Sequence, residues 1–376
     1  MSQKISMTNP LAGYHAYKDE IDQAIERVLE SGWYILGEEV SGFEDEFAIF
    51  CDSPHAVGVA SGTDAILLAL RSLEIGPGDA VFTVSHTAVA TVAAIELTGA
   101  TPVFVDVDSG TYTIDPQKLE ESILTFDQPG LKPRAVVGVH IYGHPFDISS
   151  ITDICNRHEL LLVEDCAQAH GATYQNKLVG TFGDAGAFSF YPTKNLAAFG
   201  DGGAVLFRQM ESAKQCKSIR QYGWQDRYLS EIPGTNSRLD ELQAAILRIR
   251  LKYLMSEITV RRIAAQQYNK GLDNIVIIPR VSKDVQHAYH LYVIRTKDRD
   301  KLLQFLLEKG IGAGIHYPKP VHLQLAYQNT LRGAGGLAVT ESISNEILSL
   351  PMHGFLQEND IQIVIDTVTD WVGKNI

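Results

Sequence analysis

Between residues 56 and 207 short, largely apolar runs alternate with helical stripes, and this alternation restricts the fold more than any other feature of the chain. The runs fall at 56–60, 80–84, 102–107, 135–139, 160–163, 185–190 and 204–207. They are too short for helices and too uniformly apolar for strands with one solvated face, so they read as strands buried on both sides. Between them lie helical patterns: Ala65, Ile66, Leu68, Ala69 and Leu70, then 91–97 closed by Gly99, then 148–158. Strands separated by helices predict an α/β protein with a mostly parallel central sheet covered by helices. In such sheets ligands collect beyond the carboxyl ends of the strands. Gly62, His86, Asp165 and Ser189 occupy such ends.

The flanking segments are helical at first. Ile21, Ala24, Ile25, Val28 and Leu29 form one stripe, and Phe43, Phe47 and Phe50 continue a second after GWYILG. Leu239, Leu242, Ala245, Ile246 and Ile249 open a strongly periodic helix that is expected to bridge to a second domain. The apolar spacing resets near residue 251, so a large domain over 1–250 and a smaller α+β domain over 251–376 are expected. In the latter, Tyr289, Leu291 and Val293 alternate like a half-exposed strand, and 301–309 reads as a helix. Asp127 to Pro133, DQPGLKP, reads as a surface loop.

Composition narrows the function. A net charge of -13 argues against nucleic acid and against an anionic membrane as partners. The four cysteines show neither metal-ligand spacing nor a disulfide framework, and they read as small buried hydrophobes in a reducing compartment. No metal site is expected. The first residues lack an apolar leader core, and no apolar run approaches a membrane span, so the cytoplasm is the expected location.

Chemistry concentrates between Leu160 and Gly203. Lys194 follows an apolar run and precedes Gly200, Gly202 and Gly203. An ε-amine reacts with a carbonyl only when uncharged, which calls for a setting that lowers its pKa. Asp165 stands at a strand end, where it serves either as an acid partner or as a turn cap. Gly62 and Thr63 begin a helix, where unpaired amides and the positive dipole end make a phosphate seat, or else an ordinary N-cap. His86 is either a ring contact or a structural imidazole.

Taken in order, Asp165, Gln168, Ser189 and Lys194 resemble the pyridoxal-phosphate site of the DegT/DnrJ/EryC1/StrS sugar aminotransferases. The likeness extends through GWYILG, SGTDA, VEDCAQ, SFYPTKN, GDGGA, NSRLDELQAA and HYPKPVH. It implies the fold of type I pyridoxal-phosphate transferases. It further implies Lys194 as the Schiff-base lysine, Asp165 against the ring nitrogen and Gln168 near the phenolic oxygen. Ser189 with the Gly62 and Thr63 amides would hold the phosphate. Asn236 would reach the phosphate of a neighbouring subunit's coenzyme, and Trp33 and Tyr34 would touch a partner's active site, which makes a homodimer necessary.

On the substrate side the resemblance points to Tyr191, Arg227, His316 and Tyr317, with the 316–317 loop closing over the sugar. Arg227, Arg238, His316 and Lys319 are the cations available for a diphosphate. One position departs from the family pattern: Ala88 stands where an aromatic is common, so His86 is the nearest candidate to stack on the ring.

The implied reaction moves an amino group from L-glutamate to a nucleotide-linked keto-sugar, with pyridoxamine phosphate as the alternate coenzyme form. The sequence around Lys194 is similar to members acting at sugar C-3, on a dTDP-linked 3-keto-6-deoxy sugar. The alternatives are amination at C-4, a pyridoxamine-phosphate-dependent sugar dehydratase, which carries His where Lys194 stands, and a non-catalytic regulatory member. A nicotinamide dehydrogenase is disfavoured, because the one Gly-x-Gly-x-x-Ala match, Gly333 to Ala338, does not follow a strand.

Overall fold

The structure is a computed structural model that describes residues 4–375. The apolar runs form strands β1 (His55–Val59), β2 (Asp79–Val84), β3 (Thr101–Val105), β4 (Lys132–Val139), β5 (Leu161–Asp165), β6 (Ala185–Ser189) and β7 (Gly203–Phe207). They lie side by side in the order β1-β7-β6-β5-β4-β2-β3, and Leu331–Arg332 adds an eighth strand beyond β3. Only β7 runs against its neighbours; every other pairing in the sheet is parallel. The carboxyl ends of β1, β2, β4, β5 and β6 therefore share one edge.

Successive residues of these strands enter different cores. Phe82, Val136, Leu162 and Phe188 pack on one face, and Val81, Val137, Val163 and Ala187 on the other. This two-sided burial is why the runs are largely apolar rather than alternating. Helices α1 (Gly62–Ser72) and α2 (Val89–Leu97) each leave a strand at the shared edge, so their amino ends border the same space. β4 starts at Lys132, where Lys132 and Pro133 pair with Asp79 and Ala80. The expected loop thus ends earlier than its polar residues suggest, because the first residues of that strand lie near the sheet's rim.

Helix α3 (Glu241–Leu272) is one uninterrupted element of 32 residues, and the expected division at 250/251 falls inside it. Its first half packs Ala245, Ile246 and Ile249 on Ile21, Ala24 and Val28. Its second half packs Ala264, Ala265, Tyr268 and Leu272 into a separate core with Tyr292, Ile294, Leu348 and Val364. There Tyr292–Arg295 pairs antiparallel with Ile347–Leu350, and Arg299–Glu308 and Glu358–Asn375 supply helices. Several segments cross between these regions: Ile5 joins the distal core, Val285–Gln286 pairs with Thr173–Tyr174, and Leu331–Arg332 returns to the large sheet.

All four cysteines are free and buried. Among the described residues no helix is long and apolar enough to cross a membrane.

Candidate active site

At the carboxyl end of β5 the Asp165 carboxylate is buried. Its Oδ2 accepts from the Thr91 hydroxyl at 2.8 Å and its Oδ1 from the Ala167 amide at 3.1 Å. Burial pushes its pKa up, while these donors and the Lys194 charge hold it down. Among the described residues no lysine, arginine or histidine forms a salt bridge with it. A buried carboxylate whose hydrogen-bond donors are all neutral is suited to a further, cationic donor.

Lys194 lies on the loop after β6, fixed by its amide donating to the Tyr191 carbonyl at 2.8 Å. Desolvation lowers its amine to about 8, with Asp165 opposing the shift. The buried imidazoles of His170 and His290 and the half-buried one of His316 lie within the field of the same amine, each held below its ordinary pKa chiefly by desolvation. They leave Asp165 as the negative charge that acts on Lys194.

The amino end of α1 begins where Ser61 caps the helix, its hydroxyl accepting from the Asp64 amide at 3.1 Å. The Ala65 amide donates to the Ser61 carbonyl. The Gly62 and Thr63 amides have no such acceptor among the described residues, as expected for the first turn of a helix. Ser189 at the end of β6 packs directly on Gly62: a Cβ there would stand 2.4 Å from the Ser189 Cβ and 2.9 Å from its hydroxyl. Glycine is the side chain that permits this approach. Two amides, a hydroxyl and a positive dipole end converge as an anion seat.

A fourth wall joins the remaining expected residues. Gln168 accepts from the Tyr142 amide at 2.6 Å and donates to the Tyr317 hydroxyl at 3.0 Å. His86 Nε2 pairs with the Tyr142 hydroxyl at 2.7 Å, and that hydroxyl also meets the His316 carbonyl. Burial lowers His86 to about 4, so its imidazole is neutral. Its ring meets Tyr142 and Tyr112 at steep angles, and Ala88 leaves the space beside it without an aromatic side chain.

Other expected residues lie apart from this cluster within the one chain. Trp33, Tyr34, Arg227 and Arg238 line an open cavity of about 690 Å³ together with Trp224 and Tyr228. Trp33 is 64% exposed and Tyr34 50%. Arg227 bonds the Tyr228 hydroxyl and lies over its ring. Asn236 is exposed beside Gln221, and Tyr191 and Lys319 are exposed on the loops that carry Lys194 and Tyr317. Among the described residues no hydrogen bond or ion pair links the Trp33 cavity to Asp165 or Lys194.

A family model described as the DegT/DnrJ/EryC1/StrS aminotransferase family matches residues 15–369. The chain belongs to this family. It is similar, at 45% identity over 96% of the chain and 95% of the relative, to a dTDP-3-amino-3,4,6-trideoxy-alpha-D-glucose transaminase of Streptomyces venezuelae. It is 44% identical to a dTDP-3-amino-3,6-dideoxy-alpha-D-galactopyranose transaminase of Aneurinibacillus thermoaerophilus, over 94% of the chain and 95% of the relative. The crystal structure of S. venezuelae DesV in complex with a ketimine intermediate superposes with a TM-score of 0.94 at 44% identity, covering 99% of both chains. The sheet and its helices thus have the type I transferase fold that DegT/DnrJ/EryC1/StrS aminotransferases share.

Thr91 and Tyr142 contact the cluster and were absent from the sequence-based set. A signal existed for each. Thr91 is a buried polar residue in a helix whose other residues, apart from Glu96, are apolar, and Tyr142 follows the carboxyl end of a parallel strand, beside Gly143. His140, Glu164 and Cys166 also lie together, but the Phe146 amide donates to His140 Nδ1 and Glu164 takes His140 Nε2 with the Gly180, Phe182 and Gly183 amides. That set is internally hydrogen-bonded and anchors the 180–183 turn behind β5.

Proposed function

We propose that the chain is a pyridoxal-phosphate-dependent aminotransferase that moves an amino group from L-glutamate to the C-3 ketone of a dTDP-linked 6-deoxy sugar. The observation that carries the reading is the Lys194 amine, lowered to about 8 by desolvation, in the field of the buried Asp165 carboxylate. The family and the names of the two relatives above support the sugar class and the C-3 position.

The residues present fit the coenzyme. A buried carboxylate without a charged hydrogen-bond donor suits a protonated ring nitrogen, the Gly62 and Thr63 amides with Ser189 suit a phosphate, and Lys194 suits an aldehyde. When bound, the coenzyme supplies a carbon that exchanges an amino group and a ring that withdraws electrons.

The chain supplies the proton chemistry. With a pKa near 8, about a tenth of the Lys194 amine is unprotonated at pH 7, against roughly one part in three thousand at its ordinary 10.5. With its amine free and uncharged, Lys194 would be the base that takes the donor's α-proton and later returns a proton to the sugar carbon, a role worth about 10²–10⁴-fold. Asp165 would hold a proton on the ring nitrogen. Gln168 would face the phenolic oxygen, and His86 would flank the ring in place of the aromatic that Ala88 lacks.

Two copies share their sites in this reading. The exposed Trp33 and Tyr34, the cavity they form with Arg227 and Arg238, and the exposed Asn236 support contributions to a partner's centre. The region up to residue 250 acts as the coenzyme-binding domain and the remainder as the smaller domain bearing His316 and Tyr317. The free, buried cysteines support a cytoplasmic setting.

The test is turnover. The purified chain with pyridoxal phosphate and L-glutamate is offered dTDP-linked 3-keto and 4-keto 6-deoxy sugars and their uridine-diphosphate counterparts. Preferential amination of a 3-keto sugar supports the assignment. Amination of 4-keto sugars alone moves it to C-4, and amination of none removes it.

A further inference from the structure

Tyr142 is buried, yet its backbone has φ +61° and ψ 0°, a left-handed conformation that bulky side chains rarely adopt. Residues are kept in such conformations where their surroundings over-determine them, and these positions cluster at functional sites. The surroundings of Tyr142 have one notable property: its contacts close a circuit.

The circuit can be followed proton by proton. The Tyr142 amide donates to Gln168 Oε1 at 2.6 Å, and Gln168 Nε2 donates to the Tyr317 hydroxyl at 3.0 Å, so both ends of that amide are engaged. Tyr317 follows His316, whose carbonyl oxygen is met by the Tyr142 hydroxyl. A carbonyl cannot donate, so the single phenolic proton of Tyr142 goes to His316. His86 must then donate from Nε2 to the Tyr142 oxygen, which fixes its tautomer.

The far end of the same loop is held from the same strand end. The Ser85 hydroxyl accepts from the His322 amide at 3.0 Å and pairs with His322 Nδ1 at 2.6 Å. Adjacent residues, Ser85 and His86, thus hold both ends of the 316–322 segment against β2. One hold is direct, and the other runs through Tyr142.

We propose that Tyr142 is a positioning residue that sets the 316–317 loop relative to Gln168, so that its hydroxyl serves the sugar half of the reaction more than the donor half. This rests on the function proposed above. The division follows from which atom makes which contact: the backbone amide holds Gln168, and the hydroxyl holds His316 and accepts from His86. Tyr142→Phe removes both contacts of the hydroxyl and keeps that of the amide.

The test uses the full-length, coenzyme-loaded protein. In Tyr142→Phe, amide hydrogen exchange in a peptide spanning 314–319 is expected to accelerate at least tenfold. In single-turnover absorbance measurements amination of a dTDP-linked 3-keto sugar is expected to slow at least tenfold more than the half-reaction with L-glutamate. Equal slowing of both halves, no slowing of either, or unchanged exchange at 314–319 overturns the inference. Wild-type protein that reacts with glutamate but aminates no keto-sugar removes the substrate reading instead, and the exchange measurement alone then decides whether Tyr142 holds the loop.

Discussion

Thr91 and Asp165 meet at 2.8 Å, the hydroxyl of a helix that follows β2 donating to a carboxylate at the end of β5. The contact joins two crossover units of the sheet at the shared edge. It also opposes the upward pull that burial exerts on the pKa of the carboxyl. Replacing Thr91 with Val keeps the shape and removes the donor. A hydrogen bond to a charged group contributes about 1.5–3 kcal/mol, so coenzyme affinity or kcat is expected to fall roughly 10- to 100-fold. Coenzyme titration followed by steady-state kinetics checks this, with the melting temperature as a control for folding.

Lys194 links the site to stability. It titrates at about 8 in the folded chain against an ordinary 10.5, so the unfolded chain binds more protons between those values. The penalty for burying the ammonium is therefore full below about pH 8 and fades as pH rises toward 10.5. The shift corresponds to about 3 kcal/mol. In coenzyme-free protein, Lys194→Met is expected to be the more stable chain at neutral pH by an amount of that order, and to converge with wild type as pH approaches 10.5. Denaturant titrations across the alkaline range measure the difference.

At the anion seat, Gly62→Ala is expected to be costly out of proportion to its size. The added carbon would stand 2.4 Å from the Ser189 Cβ, so β6 or α1 must shift. Overpacking of this kind costs about 1–3 kcal/mol. Coenzyme affinity should drop at least tenfold, read by fluorescence titration, while far-ultraviolet dichroism stays that of the folded chain.

Subunit sharing has a complementation test. Lys194→Ala and Asn236→Ala chains are each expected to be nearly inactive. Mixed and reassociated, they should regain up to about a quarter of wild-type activity, because a heterodimer assembles one site with both residues intact. Recovery no greater than the separate variants would refute a shared site.

The strands and the position of Asp165 at a strand end were legible in the sequence because a sheet buried on both faces leaves continuous apolar runs. Helix α3 was harder to read. Arg250, Glu257 and Arg261 lie on one face of it and are buried, Arg250 and Glu257 paired at 3.3 Å. Charged residues stand where the pattern calls for apolar ones, so the helix looks interrupted near 251 although its backbone continues. In the site, Lys194 and Asp165 could be singled out from residue type and order. Thr91 and Tyr142 act through a hydroxyl or a backbone amide set by tertiary packing, and no local spacing encodes such a contact. The cavity lined by Trp33 and Arg227 likewise takes shape only once segments from distant parts of the chain meet.

The most direct measurement is covalent trapping. The full-length chain is loaded with pyridoxal phosphate, reduced with borohydride and mapped by peptide mass spectrometry, with and without prior L-glutamate. The account predicts a coenzyme adduct on the peptide bearing Lys194, and its disappearance when glutamate is added before the reductant. An adduct on another lysine, or one at Lys194 that glutamate leaves untouched, would contradict it.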